Sequence, residues 1–186
     1  MSLNAYDVSA GVFVRGLTNL RMQLMKAESH VAANGGDEAT LLGARLARDG
    51  QTGNVASGAL EDLHTYTLAA HVHWAAEGAK LAIAHVLGAR PVPVASDAKS
   101  VAELCQRIDV TIAHFRAIPA TDIEAGLGRT VVVEHRRGSM SANGGQFLLA
   151  FAIPHFFYHV TAAYGILRSQ GVQLTMGDFL GNWGAA

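Results

Sequence analysis

Apolar residues recur at helical spacing through four long stretches of the chain, and glycine, proline and serine break the pattern between them. The first stretch predicts a helix over residues 5–33, with Val8, Val12, Gly16, Leu20 and Leu24 as its stripe and Val14, Leu17 and Met25 beside it. Asn34-Gly35-Gly36 ends it as a helix C-cap does. A short helical turn follows over 37–42, with Asp37 and Glu38 at its positive end. Residues 49–58, rich in Gly, Asn, Ser and Thr, read as a loop.

The second helix is predicted over 60–87, with Leu60, Leu63, Thr67, His71, Trp74, Gly78, Leu81 and His85 on one stripe. Glu77 and Lys80 lie on the opposite face. Gly88 closes the helix, and Pro91-Val92-Pro93 prevents its continuation. Ser96, Asp97 and Ser100 are candidate N-caps for a third helix over 101–117, whose apolar side is Leu104, Ile108, Ile112 and Phe115. Pro119 ends it, and a loop follows. Arg129 to His135 is β-branched and predicts a strand, with 139–142 as a weaker hairpin partner. The fourth helix is predicted over 145–170, ending at Gly171, with a kink at Pro154 that frees the carbonyl of Ala150. In the tail over 176–181, Phe179 and Leu180 are the docking residues.

Four long helices and one minor hairpin define the expected fold class: all-α, a four-helix bundle with a small β-hairpin between helices 3 and 4, as a single domain over 1–186. The long connections between helices 1 and 2 and between 3 and 4 permit topologies other than a simple up-down-up-down bundle. At 186 residues the chain can bury a substantial core. Half of it is hydrophobic, 16% is charged and the net charge is −1, so no basic excess points to nucleic acid. The run from Phe147 to Ile153 is too short to span a bilayer. The N-terminal residues lack a signal-peptide pattern, and the single cysteine, Cys105, excludes an internal disulfide, so a cytoplasmic location is expected.

The candidate chemistry lies in histidine. The chain has nine, and His155 and His159 stand four apart in Pro154-His155-Phe156-Phe157-Tyr158-His159. That spacing puts both imidazoles on one helix face, where they can reach a single metal ion. A third ligand must then come from elsewhere. The competing reading is a pair of buried histidines bonded to the backbone or to neighbouring helices. No Ser-His-Asp or Cys-His constellation is assignable. The glycine pairs Gly35-Gly36 and Gly144-Gly145 lack the strand-before, helix-after setting of a nucleotide loop. Arg136-Arg137 forms a small basic spot on the hairpin turn, and Trp183 belongs to the tail.

Several segments carry a family resemblance: Tyr6-Asp7-Val8-Ser9, Val12 to Leu17, Leu41 to Ala47, Leu148 to Val172 and Gly177 to Gly181. On these the chain resembles the DUF1993 family, a branch of the DinB/YfiT-like superfamily, over nearly its whole length. The resemblance implies a DinB-type four-helix bundle that is often dimeric, so a homodimer is expected. It also implies a divalent metal, zinc or nickel foremost, held by three histidines. One of these lies on the second helix, and two at His-x-x-x-His spacing lie on the last. Thiol-dependent transferases and isomerases occur in the superfamily, whereas the DUF1993 branch has no established activity. The branch more often carries Asn after the proline and glutamines on the second helix. Here those places hold His155, His71 and His73, which makes this chain more like a complete superfamily triad.

For the third ligand, His71 is preferred to His73, because residues two apart on a helix point about 200° apart. His71 shares the stripe of Leu63, Thr67, Trp74 and Gly78. His73 shares the side of Tyr66, Ala70, Glu77 and Lys80, which reads as solvated. His64, about two turns before His71, is placed in the pocket rather than on the metal, and His85, about four turns beyond, at the other end of the bundle. The expected metal set is therefore His71, His155 and His159. Three neutral imidazoles leave coordination positions open, which is the pattern of a reactive rather than a structural site. Glu61, Asp62 and Glu77 are the nearest carboxylates by sequence, and no general base is identified. Tyr66 and Tyr158 read as core aromatics that can donate into the pocket. The expected function is a metal-dependent, thiol-linked transferase or a hydrolase on a small molecule. The alternative is a non-catalytic bundle whose histidines line a ligand pocket or dimer core without metal.

Overall fold

The computed structural model describes residues 4–46, 66–90, 92, 94–135 and 138–182. Expectations for residues 49–65 lie outside that set: the polar loop, the first turns of the second helix with Leu60, Leu63 and His64, and the carboxylates Glu61 and Asp62. So do those for Arg136-Arg137 and Trp183.

The first helix, α1 (Ala10–Ala33), starts five residues later than the apolar pattern predicts. Local hydrogen bonds turn the chain before it: Ser9 Oγ donates to the Ala5 carbonyl at 2.5 Å and Gly11 N–H to the Tyr6 carbonyl at 2.8 Å. The buried face is Phe13, Leu17, Leu20, Leu24 and Ala27, while Val8 and Met25 are exposed, so the stripe is rotated from the predicted one. A short helix, α2 (Glu38–Gly43), is capped by the Asp37 carboxylate, which accepts from Thr40 N–H at 2.9 Å.

The second long helix, α3 (Leu68–Leu87), begins where Thr67, in extended conformation, accepts from Ala70 N–H at 3.2 Å. The predicted helix included Thr67 as an interior residue; its hydroxyl instead caps the N-terminus. Gly88 ends α3 at φ +67°, a left-handed conformation that suits glycine. Ser100 caps α4 (Val101–Arg116), whose predicted side of Leu104, Ile108, Ile112 and Phe115 is buried throughout. The expected loop after Pro119 is a helix, α5 (Ala120–Leu127), with Pro119 as its N-cap residue. It anchors Ile123 in the core, and Gly126 lies so close to Val86 that a Cβ there would overlap the Val86 carbonyl.

Strands β1 (Thr130–His135) and β2 (Gly138–Asn143) pair antiparallel with Val131 opposite Ala142; this is the expected hairpin, its first strand one residue shorter and its second longer by one residue at each end. The last long helix comes in three parts: α6 (Gly144–Phe147), a π-helical turn (Leu148–Ala152) and α7 (Ile153–Ser169). The predicted kink at Pro154 takes a different form. Ile153 N–H bonds to the Leu148 carbonyl, five residues back, so the helix widens immediately before Pro154, the second residue of α7, and the missing N–H falls next to that widened turn. A final helix, α8 (Met176–Leu180), is closed by a capping box between Thr175 and Asp178. Phe179 docks edge-on to Tyr164 at 5.5 Å, whereas Leu180 is 41% exposed.

The four long helices pack around one core. α1 lies against α4 and α7, and α3 lies against the same two, so α1 and α3 face each other across the bundle diagonal. Consecutive long helices are therefore not lateral neighbours at this step, which the long intervening connection permits. Residues Gly144–Ser169 are long and apolar enough, by length and composition, to cross a membrane; here they form one wall of the bundle. Phe13, Phe115 and Phe156 meet at the centre, with ring centroids 6.1 Å apart for Phe13–Phe115 and 5.0 Å for Phe13–Phe156.

Candidate functional site

The site forms where the first turn of α3 faces the middle of α7. His71 is fully buried and His159 is 3% exposed. Their Nδ1 atoms lie 2.9 Å apart. Two neutral imidazoles at that separation share one proton, one ring donating and the other accepting. His155, one turn before His159 on α7, sits with its ring centroid 4.7 Å from that of His159. It is half-buried, stacks on Phe151 at 5.5 Å and makes no hydrogen bond among the described residues.

Gly78 gives His155 its room. A Cβ there would stand 3.2 Å from His155 Nδ1 and Cε1, tight enough to force the ring aside. The apolar pattern places Gly78 on the stripe and does not disclose this role as a cradle. The signal was a glycine inside an otherwise apolar helix, which implies close approach by a neighbour. Tyr66 stands edge-on to both buried rings, at 5.6 Å from His71 and 5.8 Å from His159. Tyr158, at the surface, reaches to 5.0 Å from His159 and 6.2 Å from His71. His85 lies elsewhere, edge-on to Phe147 at 5.8 Å.

The three expected ligands are thus neighbours but do not converge. Among the described residues no three His, Cys, Asp or Glu side chains form a group that could hold an ion as they stand. The geometry explains why: two of the donors point at each other, and the third stacks on a phenyl ring. The donor set nonetheless fits a divalent metal in part. Imidazole nitrogens bonded to one ion at about 2.0–2.1 Å lie roughly 3 Å apart, close to the separation of the His71–His159 pair.

The expectation for His73 is corrected. Its side of α3 is not solvated: His73 is 8% exposed and Glu77 is 5% exposed. The helix is covered on two sides, by α7 and by α4, so its polar face is also an inner face. Glu77 is compensated there by Lys80 Nζ at 2.8 Å and by Val94 N–H at 3.1 Å. It is committed to those partners and supplies no base to the histidine pair.

Burial favours the neutral form of His159, His155 and His73. Desolvation, and then the repulsion of His155, His71 and His73, pushes His159 down to about 3. Desolvation also lowers His155, and lowers His73 against the pull of Glu77. A histidine whose folded pKa lies below its unfolded value contributes full stability above about pH 6.5. That stability is lost as pH falls, because the unfolded chain takes up protons that the folded chain refuses. We expect urea midpoints to fall between pH 7.5 and pH 4, at up to about 1.4 kcal/mol per pH unit for His159. In His159→Phe that slope should be shallower. An identical slope in the variant would show that His159 protonates freely in the folded state.

The fold belongs to the DinB class. A crystal structure of a DinB family member from Shewanella denitrificans superposes with a TM-score of 0.81 at 27% sequence identity, over 97% of this chain and 94% of that one. Within that class the chain belongs to the DUF1993 family, a domain of unknown function whose model matches residues 5–180. No curated protein matches.

Proposed function

We propose that this protein binds a divalent ion, zinc or nickel, through His71, His155 and His159, and acts on a small molecule there as a thiol-linked transferase or a hydrolase. The observation that carries the reading is the 2.9 Å approach of two buried Nδ1 atoms from different helices, with a third uncommitted imidazole beside them. A bound ion would replace the shared proton and would lower the pKa of a water or thiol held in an open position. The chain's own part is to keep His155 and His159 neutral by burial, to place His71 against them and to wall the site with Tyr66 and Tyr158. Untagged protein, purified without chelator, should carry close to one zinc or nickel per chain, and a chelator should lower its melting temperature. Less than about a tenth of an equivalent, with no thermal shift on adding either metal, would sink the reading.

The second reading is a bundle that binds no metal, with the histidines as a hydrogen-bonded structural pair. One observation favours it: the His71–His159 bond is complete without an ion. On that reading chelator leaves the melting temperature unchanged, while His159→Ala still destabilises.

A further inference from the structure

A cavity of about 400 Å³ opens between α3 and α4 on the side of α3 that carries His73. Its size falls in the range of small-molecule sites. Its walls are apolar and firmly held: Val72, Leu104 and Ile108 are at most 1% exposed, and Ala76 is 7% exposed. Against them stand polar residues, among them His73, Lys80, Arg107 and the carboxylate of Glu77.

Those groups are built into place. Arg107 Nη1 donates to the Ala95 carbonyl at 2.6 Å and its other arm pairs with Asp97, so the guanidinium is held at the cavity edge. Lys80 is fixed by Glu77, whose other oxygen is taken by Val94 N–H. The charged groups are then two ion pairs, Lys80 with Glu77 and Arg107 with Asp97, whose formal charges balance, and both cations keep N–H donors beyond those their partners take. His73 adds a buried imidazole with no hydrogen-bond partner among the described residues. Buried polar groups are nearly always partnered, and this one lines a cavity.

We infer that this cavity is a ligand site for a small amphipathic carboxylate, with an apolar body against Val72, Ala76, Leu104 and Ile108 and its anionic head toward His73, Lys80 and Arg107. The site is separate from the histidine pair on the α7 side of the same helix and does not depend on metal there.

Octanoate and 1-octanol, titrated calorimetrically into the full chain, separate the two halves of the assignment. Octanoate should bind at least about tenfold more tightly than the alcohol, the two sharing the same apolar tail. Ala76→Leu, which fills the cavity, should weaken octanoate at least about tenfold and leave the melting temperature equal or higher. His73→Leu should weaken octanoate but not octanol, and keeps the test open if Ala76→Leu fails to fold. Chelator and His159→Phe should leave octanoate binding unchanged. Absence of octanoate binding at millimolar concentration, or binding unaffected by both cavity variants, would overturn the site. Equal affinity for octanol would overturn the anionic head.

Discussion

If the histidine cluster holds a metal as proposed, His159→Ala should abolish stoichiometric zinc or nickel binding, with affinity falling by more than the roughly 10–100-fold seen when only an outer partner of a metal ligand is removed. The reason is position. His159 stands 2.9 Å from His71 through Nδ1, and its ring is the one that also neighbours His155. Removing it takes away the member that links the other two. The variant should also lose about 1–3 kcal/mol of stability, because a buried imidazole loses its partner. His159→Gln separates the two effects: its amide restores a hydrogen-bonding group toward His71 without restoring an imidazole ligand. Dialysis against radiolabelled or spectroscopically visible metal, with circular dichroism as the folding control, is the measurement. Unchanged metal content in both variants would remove His159 from the site.

Phe156→Ala should cost about 3–5 kcal/mol, the largest single loss expected from the core. The ring is 1% exposed, meets Phe13 edge-on at 5.0 Å and lies over Gly16 of α1. A Cβ at Gly16 would stand 2.5 Å from the Phe156 ring, so α1 and α7 approach each other only because that position has no side chain. The converse experiment is Gly16→Ala. It should destabilise by overpacking, and Phe156→Leu in the same chain should recover part of the loss, since the shorter side chain vacates the contested volume. Chemical denaturation of the four chains forms a double-mutant cycle. Additive losses would mean that Gly16 and Phe156 are not in the contact described.

Much of the scaffold was legible because four helices with caps leave strong local marks. Ser100, Asp37 and Gly88 act at the positions the residue chemistry implies. The missed helix α5 is eight residues long, too short to show a reliable period, and it is held by Ile123 and by the fit of Gly126 against Val86 rather than by its own pattern. The start of α1 was misplaced because side-chain bonds at Ser9 and a turn at Tyr6 compete with the helix, and hydropathy does not register them. In the site, the stripe argument brought His71 rather than His73 to the α7 side. It failed on the other side of α3, where Glu77 and Lys80 read as solvent-facing. A charge on a helix says that a partner or water is near, and does not say which. The ion pair and the Val94 N–H that permit burial there come from residues 3 and 17 positions away.

The π-helical turn at Leu148–Ala152 has a consequence for how this chain can change length. It holds one residue more than an α-helical path between the same ends would need, and each residue turns a helix by about 100°. Deleting Ala150 would restore a plain α-helical turn between the same ends, so the hairpin, His155, His159 and the α3 wall should keep their places, whereas a residue lost from an α-helical turn of α7 would rotate one side against the other by that angle. Related chains shorter by one residue in this helix should therefore lose it within the stretch matching Leu148–Ala152, with plain α-helix in its place.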